Sequence, residues 1–284
     1  MVRRFNRSYT QRIGVLEESF LGMGMPLGSA RLLFEIGTAP APVAELRERL
    51  GLDSGYLSRL LRRLEHERLI SLTPDPTDRR RRLVELSSAG RERWEELERR
   101  SEERASQLIE PLTARQQARL AAALSEADLL VRAATVAFQP VPPTSALAVA
   151  AVDRYFAEVA ARLDFDPTGE ADKDARLLAP PTGVFVVAVS DGLPVACGGV
   201  QSLGDGVGEI KRMWVSDDWR GAGLGSRLLR DLEARAAALG HGVVRLDTNE
   251  ALTEAIAMYD RAGYARVERY NDNPFATHFF EKRI

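Results

Sequence analysis

Cysteine is almost missing from this 284-residue chain: Cys197 stands alone, so no disulfide can close within it and a disulfide-stapled fold is excluded. Long apolar runs are missing too. The run 184–189 is among the longest, far short of the roughly 20 residues that cross a bilayer. Arg3, Arg4 and Arg7 near the start are not followed by the apolar stretch of a secretory signal. A cytoplasmic protein with no membrane partner is expected. Histidine is scarce, and His66, His241 and His278 are too scattered, with one cysteine, to suggest ligand spacing, so no metal is expected. Lysine does not occur in residues 1–140, which hold 23 Arg against 20 acidic residues, whereas 141–284 hold 16 basic against 21 acidic. The resulting +3 of the first half is too small to argue for nucleic acid, which needs a local patch.

What is present suits two compact units, since the length is about twice that of a usual domain. The clearest internal boundary is Gln139-Pro140-Val141-Pro142-Pro143-Thr144-Ser145, whose prolines forbid continuous helix and favour a stiff connector. The expected organisation is a first domain over 1–138, a Pro-rich linker over 139–145 and a second domain over 146–284. Before the linker the apolar pattern is mostly 3.6-periodic with one short strand pair. After it, β-rich runs alternate with amphipathic helices, as in an α/β or α+β domain.

In the first half, 9–21, 29–37, 43–50, 54–68, 88–110 and 113–137 read as helices. Pro42 suits a first helical turn, Gly51 a helix end and Asp53 a cap, while Thr113 to Gln116 has the form of a capping box. Helices 43–50 and 54–68 about a tight turn make a helix-turn-helix candidate. Leu57, Leu60, Leu61 and Leu64 share one face of the second helix. Ser54, Ser58, Arg59, Arg62 and Arg63 take the other, where they could meet bases and phosphates in a major groove. A solvated helix on an ordinary fold would show the same face. The next segment tips the balance, because Leu69–Thr73 and Leu83–Leu86 flank Arg79, Arg80, Arg81 and Arg82 and read as a hairpin wing suited to a narrow minor groove.

Over about residues 10–137 the sequence resembles the MarR family of regulators. The likeness rests on Leu64-Glu65 to Leu69-Ile70, the Asp78-Arg79-Arg80 wing, and Leu86-Ser87-Ser88-Ala89-Gly90 entering a long helix. It implies a mainly-α winged helix-turn-helix fold, a homodimer built from the first and last helices, and a double-stranded DNA operator as partner. Trp94, Leu97, Leu108, Leu112, Leu120, Leu124 and Val131 could form that interface or pack within one chain.

In the second half, Arg220-Gly221-Ala222-Gly223-Leu224-Gly225-Ser226 follows a strand (210–215) and opens a helix with Leu224, Leu228, Leu229, Leu232 and Leu239 on one face. Glycines at a strand-to-helix turn let successive N–H groups converge on a phosphate. Neither Walker nor Rossmann spacing is met. The Arg-x-x-Gly-x-Gly turn resembles that of the GNAT superfamily of N-acetyltransferases. So do the strand Glu209 to Val215, the neighbouring Leu246-Asp247-Thr248-Asn249, and Ala255 to Tyr264. The resemblance covers about 146–284 and implies an α/β (α+β) fold on a central mixed, mostly antiparallel sheet, with acetyl-coenzyme A as cosubstrate and a small-molecule amine as acceptor.

That chemistry needs a polarised thioester carbonyl, a deprotonated amine and a proton for the departing thiolate. The resemblance places backbone N–H groups near Trp214 and Val215 against the coenzyme arm, Asn249 beside the coenzyme, and Tyr259 by the sulfur as general acid. A core tyrosine is the alternative for Tyr259. Glu209 is the candidate base, or else a strand-end carboxylate in an ion pair. Tyr270, Asn271, Asn273 and His278 are candidates to line the acceptor site, or to form an Asn-stabilised turn. The charged segment 164–182 is expected to cover that site, or else to be a solvated loop. A transcription factor whose second domain only senses acetyl-coenzyme A or an amine is the alternative to a working enzyme.

Overall fold

The computed structural model describes residues 2–14, 17–38, 40–76, 78–163 and 175–284. Internal packing divides the chain into two units, Met1–Leu120 and Ala121–Ile284. The first holds helices α1 (Val2–Arg12), α2 (Leu27–Thr38), α3 (Val43–Leu50), α4 (Ser54–His66) and α5 (Ser88–Ile109). With them lies a small antiparallel sheet of β1 (Ala41–Pro42), β2 (Ile70–Pro74) and β3 (Arg82–Leu86), in the order β1-β3-β2. The short pairing of β1 with β3 adds a strand to the expected hairpin.

Leu57, Leu60, Leu61 and Leu64 of α4 are buried with Leu32, Leu33 and Ile36 of α2, Leu46 of α3 and Val84 of β3. Each such side chain contributes about 1.5–3 kcal/mol of burial, and four on one stripe fix which face of α4 turns outward. Gly51 closes α3 in the left-handed region, and Asp53 caps α4 by accepting from Tyr56 N at 2.9 Å. Ser87 caps α5 in the same way, and a Cβ at Gly90 would meet the Leu69 carbonyl oxygen at 1.8 Å, so only glycine lets α5 start against β2. The helix expected over 9–21 is displaced. α1 ends at Arg12, Gly14 has φ +75°, and among the described residues of 13–22 the helical structure is a 3-10 turn at Phe20–Gly22.

Helix α6 (Ala114–Thr135) carries the expected capping box and crosses the division, so residues 121–138, expected with the first domain, pack in the second unit. Leu129, Ala133, Val136 and Phe138 join that unit's core. The remaining elements are β4 (Phe138–Pro140), α7 (Ala146–Leu163), β5 (Val184–Ser190), β6 (Leu193–Gly204) and β7 (Val207–Val215). They continue with α8 (Leu224–Ala238), β8 (Val243–Thr248), α9 (Thr253–Arg261), β9 (Ala265–Arg266) and β10 (His278–Arg283). The segment 139–145, expected as a stiff Pro-rich connector, is tied to the sheet where it begins: β4 pairs with β5, and Val141 N donates to Phe185 O at 3.0 Å. Proline is tolerated there because β4 is an edge strand.

The seven strands run β4-β5-β6-β7-β8-β10-β9, antiparallel except for β7 with β8. Val186, Val200, Ile210 and Leu246 face α8, while Phe185, Val187, Cys197 and Trp214 face α7. Burial on both faces explains why β5 and β6 read as continuous apolar runs. Two irregularities in β7 open the site. Its pairing with β8 ends at Glu209↔Arg245, though both strands continue. Against β6, Cys197↔Trp214 and Gly199↔Lys211 leave an extra residue on β7, and Arg212 in this bulge has φ +56°.

Candidate active site

Beyond Glu209 the unpaired edge of β7 and the start of α8 border a cleft of about 450 Å³. Trp214, Val215, Arg220, Gly221, Gly223, Leu224, Gly225 and Ser226 line it. Ala222, from the same turn, packs against the core instead. Gly221 and Gly223 both have φ +79° with open space where a Cβ would stand, and Gly223 caps α8 with no side-chain acceptor. The first N–H groups of α8, which have no carbonyl partner inside the helix, therefore face a cleft at its positive end, which suits an anion. Arg220 is held at this turn by Val215 O at 3.1 Å and by ion pairs to Asp217 and Glu158. Glu158 Oε2 also accepts from the Trp214 indole at 2.8 Å.

A second cleft, about 380 Å³, adjoins the first. Tyr155 and Val159 of α7, Met213 of β7, and Leu252, Ala255 and Tyr259 on or beside α9 line both. Tyr259 thus stands where the two meet. Its ring packs on Tyr264 and Phe280, and its hydroxyl lies 3.9 Å from Met213 Sδ. Burial pushes the phenol up, reinforced by Tyr155 and Asp247, so it holds its proton at neutral pH.

The polar wall of the second cleft is Lys211, Arg212, Asp247, Thr248, Asn249 and Asn273. Asp247 accepts from Asn273 Nδ2 at 2.9 Å and Asn271 Nδ2 at 2.5 Å, with Lys211 Nζ at 3.4 Å. Glu209 lines neither cleft and is 2% exposed. Its carboxylate accepts from Gln201 Nε2 at 2.6 Å, Tyr270 Oη at 3.0 Å and Asn271 Nδ2 at 3.0 Å, with Lys211 Nζ at 3.6 Å. The expected base therefore lies behind the cleft wall, among donors. Asn249, expected beside the coenzyme, lines the second cleft instead; its side chain donates to Phe275 O and accepts from Ala251 N. Of the acceptor-site candidates, Asn273 lines the cleft, Tyr270 and Asn271 support it from behind, and His278 stacks on Phe280 outside the lining. Of the expected cover, 164–174 lie outside the described residues.

Residues 149–264 match the Acetyltransferase (GNAT) family and residues 23–81 the MarR family. The chain is 38% identical over 93 residues to an "IAA acetyltransferase" of Azospirillum brasilense, a match covering 32% of this chain and 61% of the relative's length. It is 31% identical over 126 residues to an uncharacterized N-acetyltransferase of Schizosaccharomyces pombe, covering 43% of this chain and 77% of the relative. The chain belongs to the GNAT family of acetyltransferases, with a MarR-family region ahead of it. A solved structure of MarR from Escherichia coli is 25% identical, with a TM-score of 0.40, covering 45% of this chain and 96% of that one.

In the MarR-family region, Ser54, Ser58, Arg59, Arg62 and Arg63 are all exposed on the face of α4 opposite its leucines. Arg63 pairs with Glu67 at 3.0 Å, and Arg59 lies over the exposed ring of Tyr56, which sequence reasoning missed. Arg79, Arg80, Arg81 and Arg82 are exposed at the β2–β3 turn, where Asp78 accepts from Arg80 N at 3.0 Å and pairs with Arg81 at 3.4 Å. In the GNAT unit, reading the sequence missed Glu158, Lys211, Arg212, Met213 and Asp247. Asp247 sits inside a motif that was noticed, so its polarity in an apolar strand was the available signal.

Proposed function

We propose that the chain is both a transcriptional regulator and an acetyl-coenzyme A-dependent N-acetyltransferase acting on a small-molecule primary amine. The observation that carries the enzymatic half is the meeting of an anion-binding cleft and a polar cleft at Tyr259, beside the unpaired edge of β7. Acetyl-coenzyme A fits the first: positive-φ glycines and uncapped helix N–H groups suit its pyrophosphate, and the free edge of β7 suits its amide-bearing arm. When bound, it supplies the thioester acetyl group.

The acceptor approaches from the second cleft, where the Asp247 carboxylate attracts its ammonium. An amine at neutral pH is mostly protonated, so it must first lose a proton to solvent before nitrogen attacks the carbonyl carbon. The C–N bond forms, the C–S bond breaks, Tyr259 Oη gives its proton to the departing thiolate, and the second proton lost by nitrogen restores the phenol by way of solvent. Glu209 supports this arrangement by fixing Lys211 and Asn271 rather than by touching the acceptor.

For the regulatory half, the exposed faces of α4 and the arginine turn support binding of an operator DNA by a homodimer. Thiol release from acetyl-coenzyme A over a panel of small primary amines tests the enzymatic reading. Turnover with at least one amine is expected. Coenzyme binding that alters DNA affinity with no turnover on any amine would make the GNAT unit a sensor instead.

A further inference from the structure

The arginines on the exposed face of α4 are alike in sequence but not in setting. Arg63 pairs with Glu67 at 3.0 Å, one helical turn further on. Arg59 instead lies with its guanidinium 5.7 Å from the centre of the Tyr56 ring. Residues three apart are neighbours on a helix surface, so the chain places this ring and this cation side by side.

Tyr56 is itself braced. Its N–H donates to Asp53 Oδ1 at 2.9 Å, and its hydroxyl reaches the place where a Cβ of Gly28, in the first turn of α2, would stand. The missing side chain of Gly28 thus seats the far end of the phenol, while the ring stays exposed. Arg59 Nη1 stands 3.6 Å from where a Cβ of Gly55 would lie, so the side chain runs back toward the N-terminal end of α4. Stacking engages the flat of a guanidinium and leaves its in-plane N–H fork for acceptors. Among the described residues the Arg59 fork has none. Ser58 differs, since its hydroxyl donates to Ser54 O at 2.7 Å.

In a helix-turn-helix the N-terminal part of the second helix meets the base edges. A phosphate accepts from any cation, but guanine O6 and N7 together match the planar fork of arginine. A fork oriented in advance also loses less freedom on binding than one on an unrestrained side chain. We propose that Arg59, held by the Tyr56 ring, reads a guanine in the major groove of the operator. This rests on the DNA-binding reading of the first unit and narrows it from a charged face to one base-reading pair, with Tyr56 as its positioning residue.

The test selects duplexes from a random pool with the full chain and measures their affinities. Selected duplexes should share a guanine at a fixed place in each half-site. Exchanging that G·C pair for A·T should lower wild-type affinity about 5–150-fold, the worth of one good bidentate contact. Replacing the guanine by 7-deazaguanine, which removes the N7 acceptor, should lower it as well. Arg59→Ala should bring the A·T factor toward one. Tyr56→Phe keeps the ring and should retain the factor. Tyr56→Leu should lose most of it while leaving the salt dependence of affinity unchanged, because no charge is removed. Arg59→Ala with wild-type discrimination at every position overturns the assignment, and since Arg59 is exposed, that outcome does not depend on how the Tyr56 variants fold. Wild-type discrimination by Tyr56→Leu overturns the positioning role. Either result leaves DNA binding by the first unit standing, whereas no binding to any duplex overturns both together.

Discussion

Tyr259 joins the two clefts through one hydroxyl. It lines both, is held neutral by burial, and lies 3.9 Å from the Met213 sulfur. Phenylalanine preserves the ring contacts with Tyr264 and Phe280, so Tyr259→Phe should fold normally and lower kcat by about 10²–10⁴. An unchanged kcat with an unchanged melting curve would return Tyr259 to a packing role. Glu209 presents the opposite case, a buried carboxylate enclosed by donors and lining neither cleft. Glu209→Gln should raise KM for the acceptor and leave the shape of the pH–rate profile parallel to wild type. Loss of the profile's acid limb would make it the base after all. Both residues were legible as polar groups within motif segments. Their settings diverge because Tyr259, on α9, faces the clefts whereas Glu209, on β7, faces Gln201, Tyr270 and Asn271.

Among elements, the turn into α8 shows how local conformation shapes the rim of the first cleft. Gly221 and Gly223 need no side-chain space, since nothing lies near either absent Cβ; what they supply is positive φ. Alanine at Gly223 would carry about 1–2 kcal/mol of left-handed strain. Relief of that strain should tilt the first N–H groups of α8, and we expect Gly223→Ala to raise KM for acetyl-coenzyme A about tenfold, as 1.4 kcal/mol corresponds to a factor of ten. An unchanged KM in steady-state kinetics would remove the turn from the coenzyme site. Glycine spacing made this element readable in advance. The bulge in β7 was not readable, because nothing in the strand sequence around Arg212 marks a left-handed residue, and its backbone follows from register with β6.

For the whole molecule, the net charge of −2 conceals a set of arginines on one exposed helix face and one exposed turn. Their charge acts locally. If α4 and the β2–β3 turn bind phosphates, operator affinity should fall steeply with salt, with log K against log[salt] losing about 0.9 per phosphate contact removed. Replacing Arg79, Arg80, Arg81 and Arg82 by glutamine should flatten that slope, measured by titrating labelled duplex DNA at several salt concentrations. A slope unchanged by the four substitutions would take the turn out of the interface. Helix α6 also shows where reading by composition stopped short. The prolines of 139–145 mark a break in helix, but Leu129, Ala133 and Val136 carry the second unit's core back into the helix before it.

Sequence alone determined the two family regions, the leucine stripe of α4, the arginine turn, and the glycine turn before α8, because each rests on neighbours in the chain or on a periodic face. Tertiary structure decided which carboxylate borders the second cleft, where the first unit ends, and which cations share one wall. Those depend on the early end of β7–β8 pairing and on the register of β7 against β6, relations between residues far apart in sequence that no local pattern encodes. Glu209 passed behind the wall and Asp247 came forward for that reason.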